Sequence, residues 1–271
     1  MIAITERSSQ SGPETIEIRR IGAADLGWAL RRGWDDFREK RGDIIVIAII
    51  YPIVGVFTAA LALQGKLLPL IFPLFAGLSL MGPAIAAGFY ELAKRRENGD
   101  DPHWRHFLDA YRGATLVAIL PVIIFLALLF MAWLGAAWLL YVANFGPYTP
   151  STPDAFIAMM LGTTAGWRVI LTGNLVGFGF AAIVLATSVV SLPMLVDRHG
   201  DPMAAVMLSV RACWRNAGVM AAWGLIVAAL LTIGTLVMLV GLAVVLPVLG
   251  YATWHLYTRI IPSPRDTRLA S

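Results

Sequence analysis

The stretch 216–258, NAGVMAAWGLIVAALLTIGTLVMLVGLAVVLPVLGYATWHLYT, runs for 43 residues without an Asp, Glu, Lys or Arg. As a single helix it would extend ~64 Å at 1.5 Å per residue, about twice the ~30 Å hydrocarbon core of a bilayer. It therefore reads as two membrane spans joined by a hairpin near Thr235 to Gly241. Four further stretches lack these charges: 44–65, 67–90, 113–153 and 169–196. The first two read as single spans with Gln64-Gly65-Lys66 as the turn between them. The third loses its apolar character at Asn144-Phe145-Gly146-Pro147, which opens an outer loop with a short helix near 154–165. In hydrocarbon every backbone group must be satisfied within the chain, so such runs are helices.

The whole chain agrees with that reading. Of its 271 residues 58% are apolar or aromatic and 14% are charged, with mean hydropathy +0.74. Soluble domains carry roughly 25% charge. The expected architecture is an all-α membrane protein with six transmembrane helices in three hairpins, each hairpin preceded by a cytoplasmic amphipathic helix. The spans fall at about 44–63, 67–90, 114–143, 167–195, 217–236 and 240–259, within a membrane domain 25–259. Residues 1–24 form an N-terminal cytoplasmic segment, partly disordered, and 260–271 a cytoplasmic tail.

Charge placement sets the orientation. Basic residues number eight in 1–43, five in 94–112, three in 196–215 and three in 259–271, which is 19 of 21. They recur after every second span, so both termini are expected to face the cytoplasm by the positive-inside rule. Residues 1–43 mix eight basic with eight acidic residues ahead of any apolar run. No cleavable signal peptide is expected there. The same distribution explains the basic pI without nucleic acid as a partner.

Each basic segment ahead of a hairpin has helical apolar spacing. Leu26, Leu30, Trp34 and Phe37 follow Asp25 as an N-cap; Trp104, Phe107, Leu108 and Tyr111 follow Asp101-Pro102; and Met203, Val206, Met207, Val210 and Trp214 follow Asp201-Pro202. Proline suits the first helical position. All three end in an aromatic residue near an arginine: Phe37-Arg38, Tyr111-Arg112 and Trp214-Arg215. Three repeat units are inferred, their helices lying flat on the membrane with Trp34, Trp104 and Trp214 toward acyl chains.

Little in the chain suggests a reaction. One cysteine, Cys213, excludes an intramolecular disulfide, and its neighbours Arg211 and Arg215 could lower its pKa. His103 and His106 have ligand-like spacing but no convincing third donor. Phosphate-loop, nucleophile-elbow and zinc-helix motifs are absent, and no charged residue lies mid-membrane, against an ion pathway. No cofactor, metal or catalytic residue is assigned. Gly173, Asn174 and Gly177 are assigned to helix packing, the glycines allowing close approach.

Three strings carry a family resemblance: Gly82-Pro83 with Gly88-Phe89-Tyr90-Glu91-Leu92 and Arg95-Arg96-Glu97; Ser191-Leu192-Pro193-Met194-Leu195 with Asp197-Arg198; and Leu246-Pro247-Val248-Leu249-Gly250 with Trp254-His255-Leu256-Tyr257. With them the chain after residue 20 resembles an uncharacterised family of bacterial polytopic inner-membrane proteins, a domain of unknown function whose members are sometimes labelled cytochrome c oxidase subunit I-like. The resemblance implies a second histidine where this chain has Tyr251, and it brings no established activity. Haem-copper chemistry requires several intramembrane histidines, and only His255 could be intramembrane.

The cytoplasmic ends of the even-numbered spans supply a candidate anion- or headgroup-binding site: Glu91 with Arg95, Asp197 with Arg198, and His255 with Arg259. Around one axis these would converge, and arginine forks suit phosphate and carboxylate. The expected partners are membrane lipids with anionic headgroups and another membrane protein. The expected role is a non-enzymatic accessory or organising subunit; the alternative is a carrier of a small apolar or anionic molecule through a cavity between the hairpins.

Overall fold

The computed structural model describes residues 16–48, 68–150, 152–237 and 241–262, together with positions 53, 56, 57 and 60. Most of the first expected span, the turn 64–66, the lead-in 1–15, the hairpin tip 238–240 and the tail 263–271 lie outside the described residues. Helices make up the fold: α1 Ala23–Ala48, a short 3-10 turn Leu68–Leu70, α2 Ile71–Leu80, α3 Gly82–Glu97, a 3-10 helix Trp104–Tyr111, α4 Gly113–Phe145, α5 Pro153–Gly162, α6 Thr164–Ser188, α7 Ser191–Arg198, α8 Pro202–Arg215, α9 Ala217–Leu236 and α10 Leu242–Ile260. Among the described residues there is no strand.

Four helical stretches are long and apolar enough to cross a membrane: Leu68–Glu97, Gly113–Phe145, Thr164–Arg198 and Ala217–Leu236. They coincide with the second to fifth expected spans. The sixth is helical as α10, but half of it is enclosed by protein; its buried residues include Tyr251, Trp254, His255 and Tyr257. Two of the four stretches are broken near their charged ends. Pro83 and Pro193 lack the N–H that would continue the helical ladder, and the chain restarts as α3 after Met81 and as α7 after Val190.

The restarted segments form the centre. Helices α3, α7 and α10 pack on one another, and each also receives the helix that precedes a span: Trp104–Tyr111 on α3, α8 on α7, and α1 on α10. Hydroxyls fasten two of these pairs to backbone near the breaks. Tyr111 donates to the carbonyls of Ala84 and Ile85 at 2.9 and 2.7 Å. Ser209 of α8 donates to Ala186 O at 2.7 Å and accepts from the Val190 N–H at 3.2 Å.

Several local expectations change. The first amphipathic segment is not a separate element, because α1 continues unbroken from Ala23 to Ala48. Its buried face is Leu26, Ala29, Gly33, Asp36 and Phe37, with Trp34 outside. Asp25 is not the N-cap; its carboxylate reaches back to the Gly22 N–H at 2.8 Å, half of a capping box. His103, not Asp101, caps the Trp104–Tyr111 helix. Asp201 does cap α8, accepting from the Ala204 N–H at 2.7 Å. Gly113 turns the chain into α4 at φ +55°, a left-handed conformation that suits glycine. Trp34, Trp104 and Trp214 are all exposed.

At Gly33 the backbones of α1 and α10 nearly touch. A Cβ there would stand 2.7 Å from both Ala252 N and Val248 O, whereas one at Gly27 meets nothing within 4 Å. Gly33→Ala is therefore expected to lower the melting temperature in lipid nanodiscs, consistent with an overpacking cost of about 1–3 kcal/mol. Gly27→Ala should hold or raise it through better helix propensity. Equal melting of the two variants would contradict this packing.

Candidate functional site

The ends of α3, α7 and α10 meet through aromatic rings and polar bridges. Phe89 of α3 lies against Tyr251 of α10 with centroids 5.7 Å apart, and Tyr90 stacks on Trp254 at 6.5 Å. Lys94 of α3 donates to Val196 O of α7 at 2.8 Å. The Tyr257 hydroxyl of α10 donates to Asp197 of α7 at 2.9 Å. His255 of α10 presents Nδ1 to Glu97 of α3 at 3.6 Å. Each pair among the three helices is thus bridged.

A fourth element joins at His255. Its Nε2 lies 2.7 Å from Oδ2 of Asp36 in α1, and both side chains are about nine-tenths buried. Asp36 also pairs with Arg96 at 3.1 Å, and Arg96 continues to Glu39. The indole of Trp28 meets the His255 ring edge-on at 5.6 Å, and the Arg259 guanidinium lies over that indole, 4.0 Å from its centroid. A cation on an aromatic face is favourable by roughly 0.5–1 kcal/mol at an exposed site.

The six residues of the expected binding site all lie on these three helices, in three separate groupings. Glu91 is buried and pairs with Arg95 at 2.7 Å; Arg95 reaches Asp109 at 3.1 Å. Arg198 holds Asp197 at 3.3 Å and donates to Pro262 O at 3.0 Å. Arg259 approaches Asp25 at 3.9 Å. Each arginine is therefore engaged with a protein acceptor of its own. Two of these partners, Asp109 and Asp25, sit on the helices that precede spans, and Pro83, Glu91, Arg95 and Pro247, His255, Arg259 repeat one spacing.

Sequence reasoning missed Asp36, Lys94, Arg96, Glu97 and Tyr257. Asp36 carried a signal: it is a charged residue on the helical face of Ala29, Gly33 and Phe37, where its burial demands a partner. That partner lies 219 residues away.

Other expected features fall elsewhere. Cys213 is buried against Ala186 O at 3.9 Å, and burial pushes its thiol up to about 12 instead of activating it. The His103 N–H donates to His106 Nδ1 at 3.0 Å. Among the described residues no group of three or more His, Cys, Asp or Glu is placed to hold a metal ion. Of the packing residues, Gly177 faces Trp133, 3.0 Å from the position of a Cβ, but Gly173 has open space there and Asn174 is exposed.

Residues 71–197 match the family model described as "Predicted integral membrane protein (DUF2189)". The resemblance to an uncharacterised membrane-protein family holds over those residues. They include the first two of the three strings quoted above, which form α3 and α7; the third lies beyond them and forms most of α10. The strings of the resemblance are thus the three central helices. No curated protein and no solved structure matches the chain.

Removing the Asp36 carboxylate leaves His255 and Arg96 without it in a buried setting, and breaking a buried pair costs about 3–5 kcal/mol. The Glu91–Arg95–Asp109 group is more open, with Arg95 and Asp109 about one-third exposed, and exposed pairs contribute roughly 0–1 kcal/mol. Asp36→Ala should thus lower the melting temperature several degrees further than Asp109→Ala. Similar losses would show that the buried group has no special weight.

Proposed function

We propose that this integral membrane protein is a non-enzymatic accessory or organising subunit of a larger complex in the bacterial inner membrane. In this reading it has six spans in three hairpins and both termini in the cytoplasm. The observation that supports it is the filled centre. Where α3, α7 and α10 meet, rings and polar bridges cross the helix contacts, and of the buried polar side-chain atoms among the described residues the Trp254 indole N–H is left without a hydrogen-bond partner. Catalytic sites instead hold perturbed groups facing a cleft. The carrier alternative draws less support, because the same contacts occupy the path between the hairpins at their charged end.

The repeat reading gains support from the three matched pairs, in which the helix before a span packs on the end of an even-numbered span. The last pair joins α10 to α1, so the series closes on itself. The outer edge of this end carries exposed arginines beside exposed tryptophans, including Arg105 over Trp104 and Arg215 beside Trp214. That combination suits anionic headgroups at a membrane interface. Lipid contact is accordingly placed on the rim, with the helix contacts left to structure.

Two measurements on one preparation separate the readings. The tagged protein, extracted with its native lipids in polymer discs, is expected to retain a membrane protein at fixed stoichiometry. Purified and reconstituted, it is expected not to raise vesicle permeability to small apolar or anionic solutes. A lone chain that passes such a solute would favour the carrier.

A further inference from the structure

Helix α6 turns a polar group toward lipid. Asn174 lies ten residues from the Thr164 end of this helix, ~15 Å along the axis, and is exposed between exposed Leu171, Leu175 and Phe178. Two exposed threonines on membrane-crossing helices satisfy themselves. Thr172 donates to Arg168 O at 2.7 Å, and Thr232 to Ala228 O at 2.8 Å. One hydroxyl proton needs one acceptor, and the carbonyl four residues back supplies it. An asparagine amide has two N–H donors and a carbonyl acceptor. Its Nδ2 reaches Ile170 O at 2.8 Å, and among the described residues Oδ1 accepts nothing.

We infer that Asn174 is the centre of a self-association surface, at which α6 packs against α6 of a second copy of this chain. The amide is self-complementary, so the free N–H of each copy donates to the Oδ1 of the other across a two-fold axis along the membrane normal. Two copies inserted the same way hold Asn174 at the same depth without further design, whereas a different protein must supply a polar group at that depth. Interhelical amide bonds of this kind hold membrane helices together. The face admits close approach: Ala181 and Ala182, about two turns beyond Asn174, are small and exposed. The inward side of α6 is already used, with Gly177 on Trp133. The inference requires only that α6 spans the membrane and does not depend on the organising role.

The test uses single cysteines introduced into full-length protein carrying Cys213→Ser, in native-lipid membranes oxidised with copper phenanthroline. Leu171→Cys and Phe178→Cys are expected to give a disulfide-linked dimer, and Leu225→Cys on exposed α9 is expected not to. Adding Asn174→Leu should lower the cross-linked fraction roughly 3- to 10-fold, the range for one interhelical polar contact in a bilayer; Asn174→Gln should retain much of it. Among the described residues Asn174 is exposed and hydrogen-bonds only within its own helix, so the leucine variant should keep a monodisperse profile and unchanged melting at dilution. Cross-linking that ignores Asn174, equals that of Leu225→Cys, or joins α6 to another protein would overturn the inference.

Discussion

The hydrogen bond between Asp36 and His255 joins the first described helix to the last. Neither group is stable alone in a buried setting, since an unpaired buried charge is costly. Asp36 needs His255 and Arg96, which fixes α1 against both α10 and α3. His255 also faces Glu97, which ties the same point back to α3. The near-contact of backbones at Gly33 follows from this pairing, because Asp36 reaches His255 only when α1 lies close along α10. Once α1 is seated, the extended segment before it is fixed as well. The Arg19 N–H donates to Ile260 O at 2.8 Å, and the Ile21 N–H to Asn216 Oδ1 at 2.9 Å.

The same logic runs around the centre. Proline breaks shorten two spans near their charged ends, and the broken backbone is served by hydroxyls from the helices packed beside it. Tyr111 and Ser209 do this at different positions with different side chains. Breaks that would be a liability in lipid become attachment points where protein covers them. This is why the strings of the family resemblance cluster in α3, α7 and α10: they hold the prolines, the aromatic contacts and most of the bridging polar groups.

Much of this was legible in the chain. Charge-free runs coincide with four helical stretches long and apolar enough to cross a membrane, because burial in lipid leaves no room for charge. Asp201-Pro202 announced the start of α8 by local capping chemistry. What the sequence concealed depends on distant pairing. Leu30 and Trp34 looked as apolar as Ala29 and Gly33, so the buried face of α1 was read one position off. Asp36, the residue that reveals the true face, was passed over as one charge in a charged segment. Asn174 was assigned to helix packing without a partner, because a lone helix does not disclose which of its sides is already taken.

The direct test of this account is site-resolved hydrogen exchange in lipid nanodiscs. It should show slow amides in 29–37 and 248–257, with the two segments gaining exchange together in Asp36→Ala while α4 and α6 stay protected. Fast exchange across 29–37 in the unaltered protein, with 248–257 still protected, would contradict it, since α1 would then not be held on α10.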